Sequence, residues 1–142
     1  MPPGSYLVRV VCRDPEGRAG SGESESFEVS PPPQQVSFSA QVLPILTGNC
    51  TNSQCHDATS PQVGLELTAA NAYTEIVGVP GKSCTSLDLV TPGSPNDSYL
   101  MIKISGGGSC MVGTKMPKPP ESLTTSEIQL VRDWIANGAP AN

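Results

Sequence analysis

Cys50-Thr51-Asn52-Ser53-Gln54-Cys55-His56 gathers two of the chain's five cysteines and its only histidine into seven residues. Two thiolates and an imidazole so close together suit a metal site, a disulfide beside a surface histidine, or a covalent cofactor attachment. Structural zinc takes four ligands, usually as two close pairs. This chain offers one close pair and no second histidine. A cysteine pair followed at once by histidine is instead the pattern that fastens haem: two thiols add to the porphyrin vinyls and the histidine ligates iron. The usual spacer is two residues and here it is four.

Composition points the same way. In 142 residues the aromatic fraction is 4% and the hydrophobic fraction 37%, against 14 glycines and 15 prolines. A chain of this length normally buries roughly 68–70% of its unfolded surface, and these side chains are few for that. A large apolar prosthetic group supplies the deficit. The net charge of −5 has no basic run behind it, which argues against nucleic acid or an anionic membrane as a partner. No apolar stretch approaches the ~20 residues of a membrane span.

The remaining cysteines, Cys12, Cys84 and Cys110, suffice for one disulfide and one spare. Disulfides and haem attachment both indicate an exported, oxidising setting, periplasmic or at the cell surface. The opening MPPGSYLVRV is not a signal peptide, because it lacks a charged region followed by an apolar one. The chain is therefore expected to be a piece of a longer exported protein.

Working outward from the motif, two parts emerge. Residues 1–33 read as a β-hairpin and a Pro-rich linker. Tyr6, Val8, Val10 and Cys12 alternate with Leu7, Arg9 and Val11, RDPEGRAGSGE makes a turn, and Phe27 and Val29 alternate again. The pair resembles the last two strands of an immunoglobulin-like domain. An isolated hairpin is marginal in water, so it needs the rest of the chain, a missing domain or another subunit. Residues 34–142 read as helical. Ser37 caps a first helix with the stripe Phe38, Val42, Ile45 and Leu46, kinked at Pro44. Thr68 caps a short second one ending at Gly78, and Ser94-Pro95 opens a third that ends near Gly106. Thr124 and Glu127 have capping-box spacing and open a last helix with the stripe Ile128, Val131, Trp134 and Ile135. The fold class is mainly α.

One histidine cannot fill both axial positions of iron, and methionine is a standard second ligand. Met101, Met111 and Met116 are the candidates. Met101 falls inside a helix, where methionine is more often core filler. Met116 sits in the inter-helix loop Gly113-Thr114-Lys115-Met116-Pro117, which suits a presented thioether best.

Several strings then carry a resemblance: FSAQVLPIL before the motif, GLEL after it, AYTEIVG, LVTPGSPNDSYLMIKI, CMVGTKMP and LTTSEIQLVRDWIANGAP. Together they resemble the monohaem cytochrome c-like domains of the planctomycete type, a branch of the class I cytochrome c fold, over residues 36–140. The resemblance implies first and last helices that cross near Trp134, and one haem c held by Cys50 and Cys55. It implies iron ligated by His56 and Met116, and a Cys84–Cys110 disulfide. The implied activity is one-electron transfer to a redox partner protein rather than catalysis. Lys115 and Lys118 flank Met116 and either steer an acidic partner or are ordinary solvated charges. A backbone carbonyl in the Pro61–Gly64 loop is expected to hold the other nitrogen of His56. Two alternatives are a haem sensor or enzyme with a labile sixth ligand, and an extracellular assembly in which the hairpin docks on a neighbour.

Overall fold

A computed structural model describes residues 4–7, 15–17, 26–29 and 35–142 of the chain. These fall into two compact units, Met1–Gln34 and Gln35–Asn142. The described structure is mainly helical with little strand.

In the first unit, β1 (Gly4–Leu7) pairs antiparallel with β2 (Ser26–Val29), Gly4 opposite Val29 and Tyr6 opposite Phe27. Val8, Val10 and Cys12, expected to extend the first strand, lie outside the described residues, as does the triple-proline linker.

The second unit begins with a wide helical turn, Phe38–Val42, that runs into α1 (Leu43–Cys50). Ser37 caps it, its Oγ accepting from the Ala40 N–H at 3.2 Å. The interruption expected at Pro44 takes the form of two segments. The proline ring removes a backbone donor and crowds the preceding turn, so the Leu43 N–H reaches back five residues to Phe38 instead. The second helix, α2 (Ala72–Ile76), is shorter than expected: Thr68 spends its hydroxyl on the Glu66 carboxylate, and the chain turns once before the helix starts.

α3 (Tyr99–Ser105) also starts later than Ser94. A 3-10 turn, Pro95–Asp97, precedes it, and Ser98 between them is extended. Fully buried Ser98 donates its hydroxyl to the Ser94 carbonyl and accepts from the Thr91 N–H, both at 2.9 Å. Serine competes with helix geometry through such local bonds, and here it divides one segment in two. Gly106 closes α3 at φ +82°, where a side chain would be strained.

α4 (Thr125–Ala136) has the capping box that its sequence spells. The Thr124 Oγ1 accepts from the Glu127 N–H at 3.2 Å, and the Glu127 carboxylate accepts from the Thr124 N–H at 2.7 Å. α4 packs on α3 and on the turn Phe38–Val42. Trp134 is fully buried there. Its ring centroid lies 5.2 Å from Phe38 and 6.4 Å from Tyr73, which meets Phe38 edge-on at 5.1 Å. The Trp134 indole N–H donates to the Pro140 carbonyl and the Tyr73 hydroxyl to that of Ala139. Asn142 in turn accepts from the N–H groups of Phe38 and Ser39. The beginning and end of the unit are thus fastened together.

A Cys84–Cys110 disulfide joins the loop after α2 to the glycine-rich loop after α3, with Cα atoms 6.0 Å apart. It closes a loop of 26 residues' separation, worth about 3.5 kcal/mol in the chain-entropy picture. The double variant C84A/C110A is expected to lose stability by about that amount in urea or thermal unfolding. A loss under about 1 kcal/mol would show that the cross-link constrains little in the unfolded chain.

Candidate functional site

α1 ends at buried Cys50, and the chain then folds back on itself. The Cys55 N–H donates to the Asn52 carbonyl and the His56 N–H to that of Cys50, both at 2.9 Å. Gln54 takes φ +68° to complete the turn. The spacer is therefore a compact loop that returns Cys55 and His56 to the end of α1. Beyond it, the Gln62 N–H binds the Cys55 carbonyl at 2.7 Å and the Leu67 N–H binds that of His56 at 2.9 Å. Both sides of the motif are pinned by backbone.

These residues form one wall of a cleft of about 550 Å³, within the range of cofactor sites, about 300–1,000 Å³. Leu65, Leu67, Leu89, Leu100 and Ile104 give it an apolar interior, and Met116 and Pro117 enter from the loop after α3. Cys50, Cys55, His56 and Met116 thus face one space from two separate segments. Met101 is buried in the core, and Met111 is half-buried and does not line the cleft. Cys50 and Cys55 are free thiols, whereas Cys84 and Cys110 are bridged.

Electrostatics keeps the wall neutral. Burial, with the neighbouring Cys55 adding to it, pushes the Cys50 thiol up to about 11. It is a thiol rather than a thiolate at neutral pH. Burial also pushes the His56 imidazole below its ordinary value, Lys103 and Lys118 pushing the same way, while backbone bonds at Leu65 and Gln62 oppose it. His56 Nδ1 lies 3.0 Å from the Leu65 carbonyl. A carbonyl only accepts, so Nδ1 carries the proton and Nε2 keeps its lone pair. The holding carbonyl was expected within Pro61–Gly64. It is one residue further on; within the loop the Pro61 and Gln62 carbonyls accept instead from the Gly64 and Leu65 amides.

Three features went wholly or partly unread in the sequence, which offered only Lys118 of the lysines that line the cleft. Tyr99 lines the cleft at 4% exposure with a buried hydroxyl that has no partner among the described residues. Its ring lies over Gly81, where a Cβ would come within 2.9 Å of the Tyr99 Cδ1 and of the Cys84 carbonyl oxygen. Val63 is 61% exposed and Val112 51%, both at the cleft, and Val63 holds φ +54°. That conformation is unusual for a β-branched residue and concentrates at functional sites. Lys82, Lys103 and Lys118 line the cleft with Glu121 as the only carboxylate among its lining residues. Lys115 packs instead against Gly106.

A porphyrin fits this chemistry. It is large and apolar, as the interior is. It carries carboxylates for lysines and an orphan hydroxyl, and it takes two thiols, an imidazole and a thioether. Among the described residues no three of His, Cys, Asp and Glu come together to hold a bare metal ion. No helix of the described residues is long and apolar enough to cross a membrane. In comparisons with protein-family models, curated proteins and solved structures, nothing matches this chain.

Tyr99→Phe gives a test with opposite signs. An unpartnered buried hydroxyl costs about 1–3 kcal/mol, so the variant should be more stable than the wild type when unloaded, by about 1 kcal/mol. In the loaded protein that advantage should vanish or reverse. Thermal unfolding of both forms measures it, and an equal shift in the two would mean the hydroxyl meets nothing in the cleft.

Proposed function

We propose that residues 34–142 are a c-type cytochrome domain of the class I kind, carrying one covalent haem and transferring single electrons. The observation that carries this reading is the shared cleft. Two unbridged thiols, a histidine with its Nε2 lone pair free and a methionine thioether meet on an apolar space, while the other described cysteine pair is oxidised.

When bound, haem supplies an iron that alternates between ferric and ferrous states. Every other part of the task falls to the chain. Cys50 and Cys55 tether the group by thioether bonds, so a change of charge does not release it. His56 offers Nε2 to iron while the Leu65 carbonyl fixes its tautomer and ring plane, which raises its basicity as a ligand. Met116 offers a soft thioether that favours the ferrous state and raises the potential relative to a second nitrogen ligand. If His56 and Met116 both ligated the iron, the chain itself would supply both ligands, which favours electron transfer over an enzyme or sensor.

The mouth of the cleft suits a transient partner. Lys82, Lys103 and Lys118 concentrate positive charge there in a chain whose net charge is −5. Exposed Val63 and Val112 add a small apolar contact beside it. Opposite charge steers encounter and sets register more than it adds affinity, as a short-lived redox contact needs. An acidic redox protein is the partner this surface fits. The Cys84–Cys110 bridge accords with an exported, oxidising location.

The full chain expressed with a haem-maturation system should carry one haem per chain that survives denaturing, acidified organic extraction. Its reduced spectrum should show a sharp α-band, and its oxidised spectrum a weak sulfur-to-iron charge-transfer band near the red end. An absent Soret band would refute the proposal. Met116→Ala should keep the covalent haem, lose the charge-transfer band, become high-spin and bind carbon monoxide when reduced. A variant that stays low-spin with the band intact would show that another residue is the second ligand.

A further inference from the structure

The thioether arrives on the least structured part of the cleft. Residues 112–118 form bends with no helix or strand. Val112, Gly113 and Thr114 are exposed, so core packing does not hold them. The disulfide fixes the chain before them at Cys110, and Pro117 is buried after them. Between those points one residue ties the loop down. Lys103 Nζ donates to the carbonyls of Val112 at 2.8 Å and Thr114 at 2.6 Å, and the Lys103 carbonyl accepts the Met116 N–H at 2.8 Å. Among the described residues no other hydrogen bond joins 112–118 to the rest of the structure.

The place of Lys103 in α3 explains why it can do this. It lies in the last turn, where carbonyls lack a partner within the helix. Its own carbonyl is therefore free to receive Met116. The ammonium has three donors, and two go to loop carbonyls that face each other across Gly113. Arginine and lysine near a helix end are ordinarily solvated charges that complement its dipole. This one turns back over the loop instead.

We infer that Lys103 is a positioning residue for Met116, clamping residues 112–116 so that the thioether is held at the cleft rather than offered by a mobile loop. The inference rests on the reading of Met116 as an iron ligand. With the clamp intact the internal ligand competes strongly for its site. With the clamp removed the loop samples other conformations, and an external ligand competes better.

The test uses the full, haem-loaded chain and two substitutions, K103M and K103R, with imidazole as the competing ligand. K103M keeps the aliphatic stem and removes the donors and the charge; K103R keeps both. All three proteins should retain covalent haem and the reduced α-band. K103M should lose more than half of the oxidised charge-transfer intensity and bind imidazole at least tenfold more tightly. K103R should stay near wild type in both. Backbone amides at 113–116 should exchange at least tenfold faster in K103M, with those of α3 unchanged. A role through charge alone would shift the midpoint potential of K103M and leave imidazole affinity and exchange untouched, which overturns the inference. So would a K103M protein indistinguishable from wild type. If K103M does not mature, K103Q replaces it, with imidazole binding at least threefold tighter as the expected result and unchanged binding the refuting one. A wild-type protein that carries haem but lacks the charge-transfer band overturns Met116 as ligand, and this inference with it; band present and K103M unchanged overturns the inference alone.

Discussion

Trp134 stands fully buried against Phe38 with its indole N–H committed to the Pro140 carbonyl, so a single side chain fixes both ends of the helical unit at one place. Burying a ring of that size outweighs any other single apolar contact available to a chain with 4% aromatics. Its consequence is positional. With the turn Phe38–Val42 held on α4, α1 must run outward from that cluster. Cys50 is carried to the far end of its eight residues, about 12 Å along at helical rise. The cleft opens where α1 ends because nothing large remains in the sequence to fill it.

The same scarcity accounts for how the rest is held. Where side chains are too few to pack a loop, backbone bonds and a covalent bridge do the holding. The motif is pinned through the carbonyls of Cys50, Cys55 and His56. The loops over the cleft are joined by Cys84–Cys110, and the Met116 segment by a lysine. Each device fixes backbone without consuming interior volume. That leaves the apolar space free, with its walls held by backbone bonds and one covalent bridge.

The parts legible in the sequence were those set by local rules. The capping box at Thr124 and Glu127 formed as spelled, and so did the αL stop at Gly106, because both depend on residues three or four apart. Pro44 announced a break, though not that the turn before it would widen. Ser94-Pro95 looked like a helix start and became a 3-10 turn, because Ser98 found partners at Thr91 and Ser94 that no periodicity reports. At the site, spacing singled out Cys50, Cys55 and His56, which the fold sets on one cleft wall, whereas the partner of His56 was misplaced by one residue. Spacing tells which loop returns to a histidine; only the fold tells which carbonyl points inward.

Lys103 and Tyr99 mark where sequence reading ran out, for opposite reasons. Lysine in the last turn of a short helix is so common an exposed charge that nothing in the letters sets this one apart. Its role depends on a glycine-rich loop crossing back at one height over α3. Tyrosine on an apolar stripe reads as core, and Tyr99 is indeed 4% exposed. What the stripe conceals is that its hydroxyl has no partner among the described residues, so the residue belongs half to the core and half to the cleft. Both are residues whose polar atoms reach beyond their own helix. A helical period sorts side chains by the face on which they start, and it is silent about where a long side chain ends.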